Sequence, residues 1–153
     1  MRVKRVIYLE SEYDKLVNHM SKIIRDYEFC CIGISGNTGL GKSTAVKQVA
    51  CNLNKAILEC HELEPEAWGC LNDTFAAANK TNQLLLFDGI IVSFHLHRKF
   101  YQDLFLRYLH ATTIVIEHPD IFLEQNNLSG DVFDIIFEIR TNSNHHVTYP
   151  FLY

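Results

Sequence analysis

Residues 29–46 read FCCIGISGNTGLGKSTAV. An apolar run, Phe29-Cys30-Cys31-Ile32, leads into glycines at 36, 39 and 41, and a stretch of helical character follows. Gly36 to Ser43 satisfies the pattern GxxxxGK[ST] in full and stands between a predicted buried strand over 29–34 and a predicted helix from Lys42 to about Leu53. Glycine in such a turn lets the backbone bend tightly so that its N–H groups face an anion. The positive end of the following helix adds to the attraction. Gly36, Asn37, Thr38, Gly39, Leu40, Gly41, Lys42, Ser43 and Thr44 are therefore the expected nucleotide-binding set, with Lys42 reaching the β- and γ-phosphates and Ser43 binding Mg2+.

Outward from this loop, apolar runs alternate with amphipathic ones. Upstream, residues 11–28 place Leu16, Met20 and Ile23 or Ile24 at helical spacing. Downstream, KAILEC (55–60) reads as a strand, and EPEAWGCLNDTFAAANK (64–80) as a helix with Pro65 in its first turn. QLLLFD (83–88) is a third strand. HLHRKFYQDLFLRYLH (95–110) is a helix with Leu96, Phe100, Leu104 and Tyr108, together with the preceding Phe94, near one face. ATTIVIEH (111–118) and DVFDIIFEI (131–139) complete five strands. Strands alternating with helices predict an α/β fold with a parallel sheet covered on both sides.

The chain has 153 residues, 48% of them hydrophobic, enough for one well-buried core. A single domain over 1–153 is expected, with an N-terminal strand and helix extension over 1–28 and a tail over 141–153. Apolar runs stay far below the ~20 residues of a membrane span, so a cytoplasmic protein with no membrane partner is expected. Cysteines at 30, 31, 51, 60 and 70 form no CxxC pair, which fits reduced, buried thiols; Cys60-His61 with Cys70, or His95 with His97, lack the paired spacing of a zinc site. A formal net charge of −4 argues against uniform electrostatic wrapping of nucleic acid.

The loop resembles that of the P-loop NTPases, and Asp88, closing LLLFD, resembles their Walker B aspartate, which holds magnesium-bound water. The resemblance implies a three-layer α/β/α fold with a mostly parallel five-stranded sheet. A guanine-reading NKxD element is absent, which disfavours a GTPase. GNTGLGKST, EPEAW and TTIVIEHPDIFLEQ resemble the deoxynucleoside kinases, but the dozen residues between Pro119 and Asp131 contain none of the arginines of their lid. The order of elements resembles the additional-strand ATPases, in which a strand lies between the phosphate-loop strand and the Walker B strand. Residues 84–140 resemble the FtsK–HerA-like viral packaging ATPases and, more loosely, superfamily-three helicases, with Arg107, His110 and Glu117 at comparable places. The packaging ATPases typically carry a second acid where Gly89 stands and a glutamine where Glu117 stands.

The resemblance implies an ATPase, with ATP and Mg2+ as ligands, that couples hydrolysis to movement or packaging of nucleic acid or to remodelling of a protein assembly. It further implies a ring of like subunits, in a virus-infected host cell or a mobile element. A small-molecule kinase and a nucleotide-dependent switch are the alternatives. Lys42 and Asp88 are expected in the catalytic centre, with Ser43 and Asp88 on the metal. The group that activates water is expected to be Glu117 or, second, Glu59, with Glu62 behind it; each also fits a solvated carboxylate at a strand end. Arg98, Arg107 and Arg140 are candidates for an arginine supplied to a neighbouring subunit. Trp68, Phe75, Phe94, Phe100, Tyr101, Phe105 and Tyr108 suit base stacking or, at helical spacing, the core. Lys80 is a candidate contact to a phosphate backbone, and the tail's Tyr149 to Tyr153 either fold back or anchor a partner.

Overall fold

A computed structural model describes residues 4–59, 82–96 and 99–142. Its centre is a six-stranded, all-parallel sheet in the order β1-β6-β2-β5-β4-β3. The strands are β1 (Lys4–Leu9), β2 (Cys31–Ser35), β3 (Ile57–Glu59), β4 (Leu84–Asp88), β5 (Ile114–Glu117) and β6 (Ile135–Arg140). The expectation of five strands in a mostly parallel sheet is corrected to six, all parallel among the described residues. The sixth is β1, the strand of the expected N-terminal extension, which joins the sheet by pairing with β6 from Lys4 opposite Ile135 to Leu9 opposite Arg140. Its sequence KRVIYL alternates exposed and half-buried positions, the signature of an edge strand.

The middle strands are buried on both faces, and side-chain alternation sorts each strand between two cores. Ile32, Ile34, Leu84, Leu86, Val115 and Phe137 pack under α1 (Tyr13–Asp26) and α2 (Lys42–Asn52). Leu85, Phe87, Ile114, Ile116 and Ile136 pack under α3 (Gly89–His95), α4 (Lys99–Tyr108) and α5 (Pro119–Gln125). Helices thus cover both faces, compatible with a three-layer α/β/α fold. Helix α1 buries Leu16, Val17, Met20 and Ile24, as its spacing predicts. Truncating Leu16, which is fully buried, to alanine would cost about 2–5 kcal/mol.

The helix predicted over 95–110 begins earlier and falls into two pieces, α3 and α4. GIIVSFH, with three β-branched residues in a row, stands without assignment between the expected strand and helix; in the structure it is helical and capped by Asp88. Leu96 and Leu104 of the expected face are buried, joined by Phe105 and Leu109, whereas Phe94 is 71% exposed. Phe105 stands edge-on to Phe87 at 5.0 Å between ring centres and belongs to the core, not to a stacking surface. Cys30 and Cys31 are buried free thiols, and Cys51 is exposed. No described helix is long and apolar enough to cross a membrane. The predicted helix over 64–80, the residues Cys60, His61, Glu62, Trp68, Cys70, Phe75, Lys80, His97 and Arg98, and the tail from 143 onwards lie outside the described residues, as do the side chains of His95, Phe100 and Tyr101.

Candidate phosphate-binding site

The site lies at the carboxyl ends of β2, β5 and β4, where parallel strands direct their following loops to one edge of the sheet. Between β2 and α2 the chain holds positive φ at Gly36 (149°), Gly39 (86°) and Gly41 (84°). At Gly36 a Cβ would also fall 2.9 Å from the Ile139 carbonyl oxygen, so β6 excludes any side chain there. Gly41, in the left-handed region, is the residue from which α2 departs. The loop and helix start enclose a cavity of about 320 Å³ lined by Thr38, Gly39, Gly41, Lys42, Ser43, Thr44, Glu117 and His118.

Lys42 is 8% exposed and folds back on the loop, donating to the carbonyls of Gly36 at 2.7 Å and Asn37 at 3.1 Å. Burial pulls its ammonium below the ordinary lysine pKa, opposed first by the charge of Glu117 and then by that of Asp88. Both carboxylates therefore act on the lysine. Asp88 and Glu117 are register partners at the tips of adjacent strands.

Their contacts differ. Ser43 donates its hydroxyl to Glu117 Oε1 at 2.5 Å, and Glu117 is 7% exposed. Asp88 instead accepts at Oδ1 from the amides of Ile90 (2.8 Å) and Ile91 (3.2 Å) and so caps α3. Glu59 does not line the cavity; it pairs with Lys47 on α2 at 3.2 Å. Arg107 is exposed on α4, and Arg140, at the tip of β6, pairs with Glu138 at 2.7 Å.

Gly89 explains the missing second acid. A Cβ there would lie 2.5 Å from the Glu117 carbonyl oxygen and 2.9 Å from that of His118, so α3 starts against the backbone of the β5–α5 junction. Ser93 donates to the Gly89 carbonyl at 2.6 Å, and Asn126 at the end of α5 donates to Ser93 at 2.9 Å, tying the two helices together.

His118 is a lining residue that sequence reasoning missed. It holds φ 55° and ψ 53°, a left-handed conformation costing about 1–3 kcal/mol for a residue with a side chain. Its amide donates to Ile34 of β2 at 3.3 Å and its carbonyl accepts from Phe122 at 3.1 Å. The only signal in the sequence is its place directly after Glu117.

Magnesium fits the donor set. Ser43 and Glu117 bring a hydroxyl and a carboxylate together at the helix start, hard oxygens of the kind this ion takes. Among the described residues no group of three or more His, Cys, Asp or Glu could hold a metal. Magnesium commonly needs only one or two carboxylates beside phosphate and water oxygens.

The chain belongs to the family described as a protein of unknown function (DUF3388), whose model matches residues 2–152. No curated protein matches it.

Proposed function

We propose that the protein binds ATP with magnesium on the loop from Gly36 to Thr44 and hydrolyses it. The observation that carries this reading is the contact of Ser43 with Glu117 at the mouth of a glycine loop whose lysine is buried beside them. The loop amides and the start of α2 hold the phosphates. Lys42 gives up its bonds to Gly36 and Asn37 for the β- and γ-phosphates. Ser43 and Glu117 would hold the metal, with Asp88 adding negative charge from the neighbouring strand. Bound magnesium would neutralise charge on the β- and γ-phosphate oxygens. Glu117, among the described residues the one carboxylate lining the cavity, would also orient water at the terminal phosphate.

The position of β5 between β2 and β4 supports the additional-strand type over a kinase. In that type hydrolysis drives movement of nucleic acid or remodelling of a protein assembly by a ring of like subunits, and this extension rests on the resemblance alone. A second reading, a nucleotide-dependent switch with slow turnover, is favoured by one observation: Gly89 leaves no room for a second acid after Asp88. Magnesium-dependent release of phosphate from ATP, measured alone, with single- and double-stranded DNA or RNA, and with nucleosides as acceptors, separates these. Release stimulated by nucleic acid supports the motor. Phosphorylated nucleoside indicates a kinase, binding without release a switch, and neither binding nor release refutes the assignment.

A further inference from the structure

We propose that a cavity at the amino ends of β1, β2 and β6, on the side of the sheet remote from the glycine loop, binds a free α-amino acid with an apolar or aromatic side chain. The inference is independent of the ATP reading, and no residue of the loop takes part in it.

Placement is the first reason. The cavity measures about 490 Å³, within the range of small-molecule sites and larger than the one at the loop. The second half of α1 lines it with His19, Lys22 and Asp26, and the strand starts line it with Lys4 of β1 and its register partner Ile135 of β6. Asp134, just before β6, is held in place by accepting at Oδ2 from the Cys31 amide at 2.7 Å.

Charge is the second. Two cations, Lys4 and Lys22, and two anions, Asp26 and Asp134, line this one cavity, and among the described residues neither lysine forms an ion pair with either aspartate. The two signs are segregated. Burial first, and then the charges of Lys4 and Lys22, pull the His19 imidazole below its ordinary pKa, and Tyr8 fixes that ring through its hydroxyl, 2.7 Å from Nδ1. Asp134 acts instead on Cys30, whose thiol is pushed up to about 12 by burial and then by this carboxylate. Asp26 follows Lys22 by four residues, about 6 Å along the helix axis. A ligand of one charge would leave either the lysines or the aspartates facing their own sign. A zwitterion answers both, carboxylate to the lysines and ammonium to the aspartates.

Apolar surface is the third. Ile23, Ile135 and the uncharged Cys30 thiol also line the cavity. Two lining aromatics from the turn between α1 and β2, Tyr27 and Phe29, are 62% and 40% exposed. Large rings left in water beside unpaired charges suit a ligand that brings an apolar side chain together with both charges.

The test is calorimetric titration of the full chain, without nucleotide, with L-phenylalanine and L-leucine. Hydrocinnamate, which lacks the ammonium, phenethylamine, which lacks the carboxylate, and glycine, which lacks the side chain, are the controls. One amino acid per chain is expected to bind, and each control to bind about tenfold more weakly or worse, the range of a lost charged hydrogen bond or of lost apolar burial. In the double variant Lys4→Gln with Lys22→Gln, and in Asp134→Asn, which keeps an acceptor for the Cys31 amide, affinity is expected to fall roughly three- to tenfold with the unfolding midpoint held. No binding of either amino acid at millimolar concentration overturns the proposal. Hydrocinnamate or phenethylamine binding as tightly as phenylalanine overturns the zwitterion, and unchanged affinity in both variants overturns the place. The control series uses the wild type and so decides even where a variant does not fold.

Discussion

The β4–α3 and β5–α5 junctions begin alike and end differently. In each, a buried strand closes in a carboxylate, the two carboxylates are paired in register, and a helix follows at once. At the first, Asp88 turns back to cap its own helix. At the second, Glu117 reaches across to Ser43. The difference lies in the next residues. Helix α3 opens with Gly89 and leaves the amides of Ile90 and Ile91 without partners inside the helix, so the preceding acid is recruited to them. In α5 the N-cap is His118, so Glu117 stands one residue before the capping position that Asp88 holds in α3. Glu117 is thereby free to serve the phosphate loop. A run of apolar residues ending in an acid does not by itself tell which acid meets the ligand. Its place relative to the cap of the following helix decides.

Five substitutions at four residues break or sharpen this contrast, from the largest expected effect to the smallest. Lys42→Ala removes the cation on which both carboxylates act and should weaken ATP binding roughly a hundredfold or more, the scale for truncating one partner of a buried charge pair. Wild-type affinity in a titration of this variant would detach the junctions from any nucleotide. Glu117→Gln should bind ATP and lower turnover by ~100-fold, as for a lost acid–base group. Asp88→Asn keeps an acceptor for Ile90 and Ile91 and should lose less. If the aspartate variant proves the more damaging in the same phosphate-release assay, the roles assigned to the two strand tips are reversed.

Gly89→Ala drives a Cβ against the Glu117 carbonyl and should destabilise the fold by about 1–3 kcal/mol in urea unfolding, without a gain in hydrolysis. A neutral result would mean that α3 does not press on the β5 tip. Asp88→Ala should cost ~1 kcal/mol through the lost cap. An unchanged unfolding midpoint would show that Asp88 does not hold the helix.

Strand β2, the glycine loop and α2 were legible because their signals are local: a run buried on both faces, glycines where positive φ is required, and a lysine and serine at fixed spacing. The alternation of elements likewise announced a parallel α/β fold. The N-terminal strand was expected as part of an extension over 1–28 and not as a member of the sheet, since KRVIYL is charged at its start and pairs with β6, more than a hundred residues away. Helix α3 was hidden because Ile90-Ile91-Val92 has strand character, and only the cap of Asp88 and the close approach at Gly89 decide the matter. The choice between Glu59 and Glu117 depended on which strand lies beside β2, a property of the sheet order and not of either residue's neighbours. His118 required its backbone angle to be seen.

The most direct test of the central claim is a calorimetric titration of the wild-type chain with ATP in the presence of magnesium, paired with its thermal unfolding. One site per chain is predicted, with the unfolding midpoint rising as ATP is raised above its dissociation constant, because a ligand that binds only the folded state stabilises it. Absence of both heat and a midpoint shift at millimolar ATP would contradict the account.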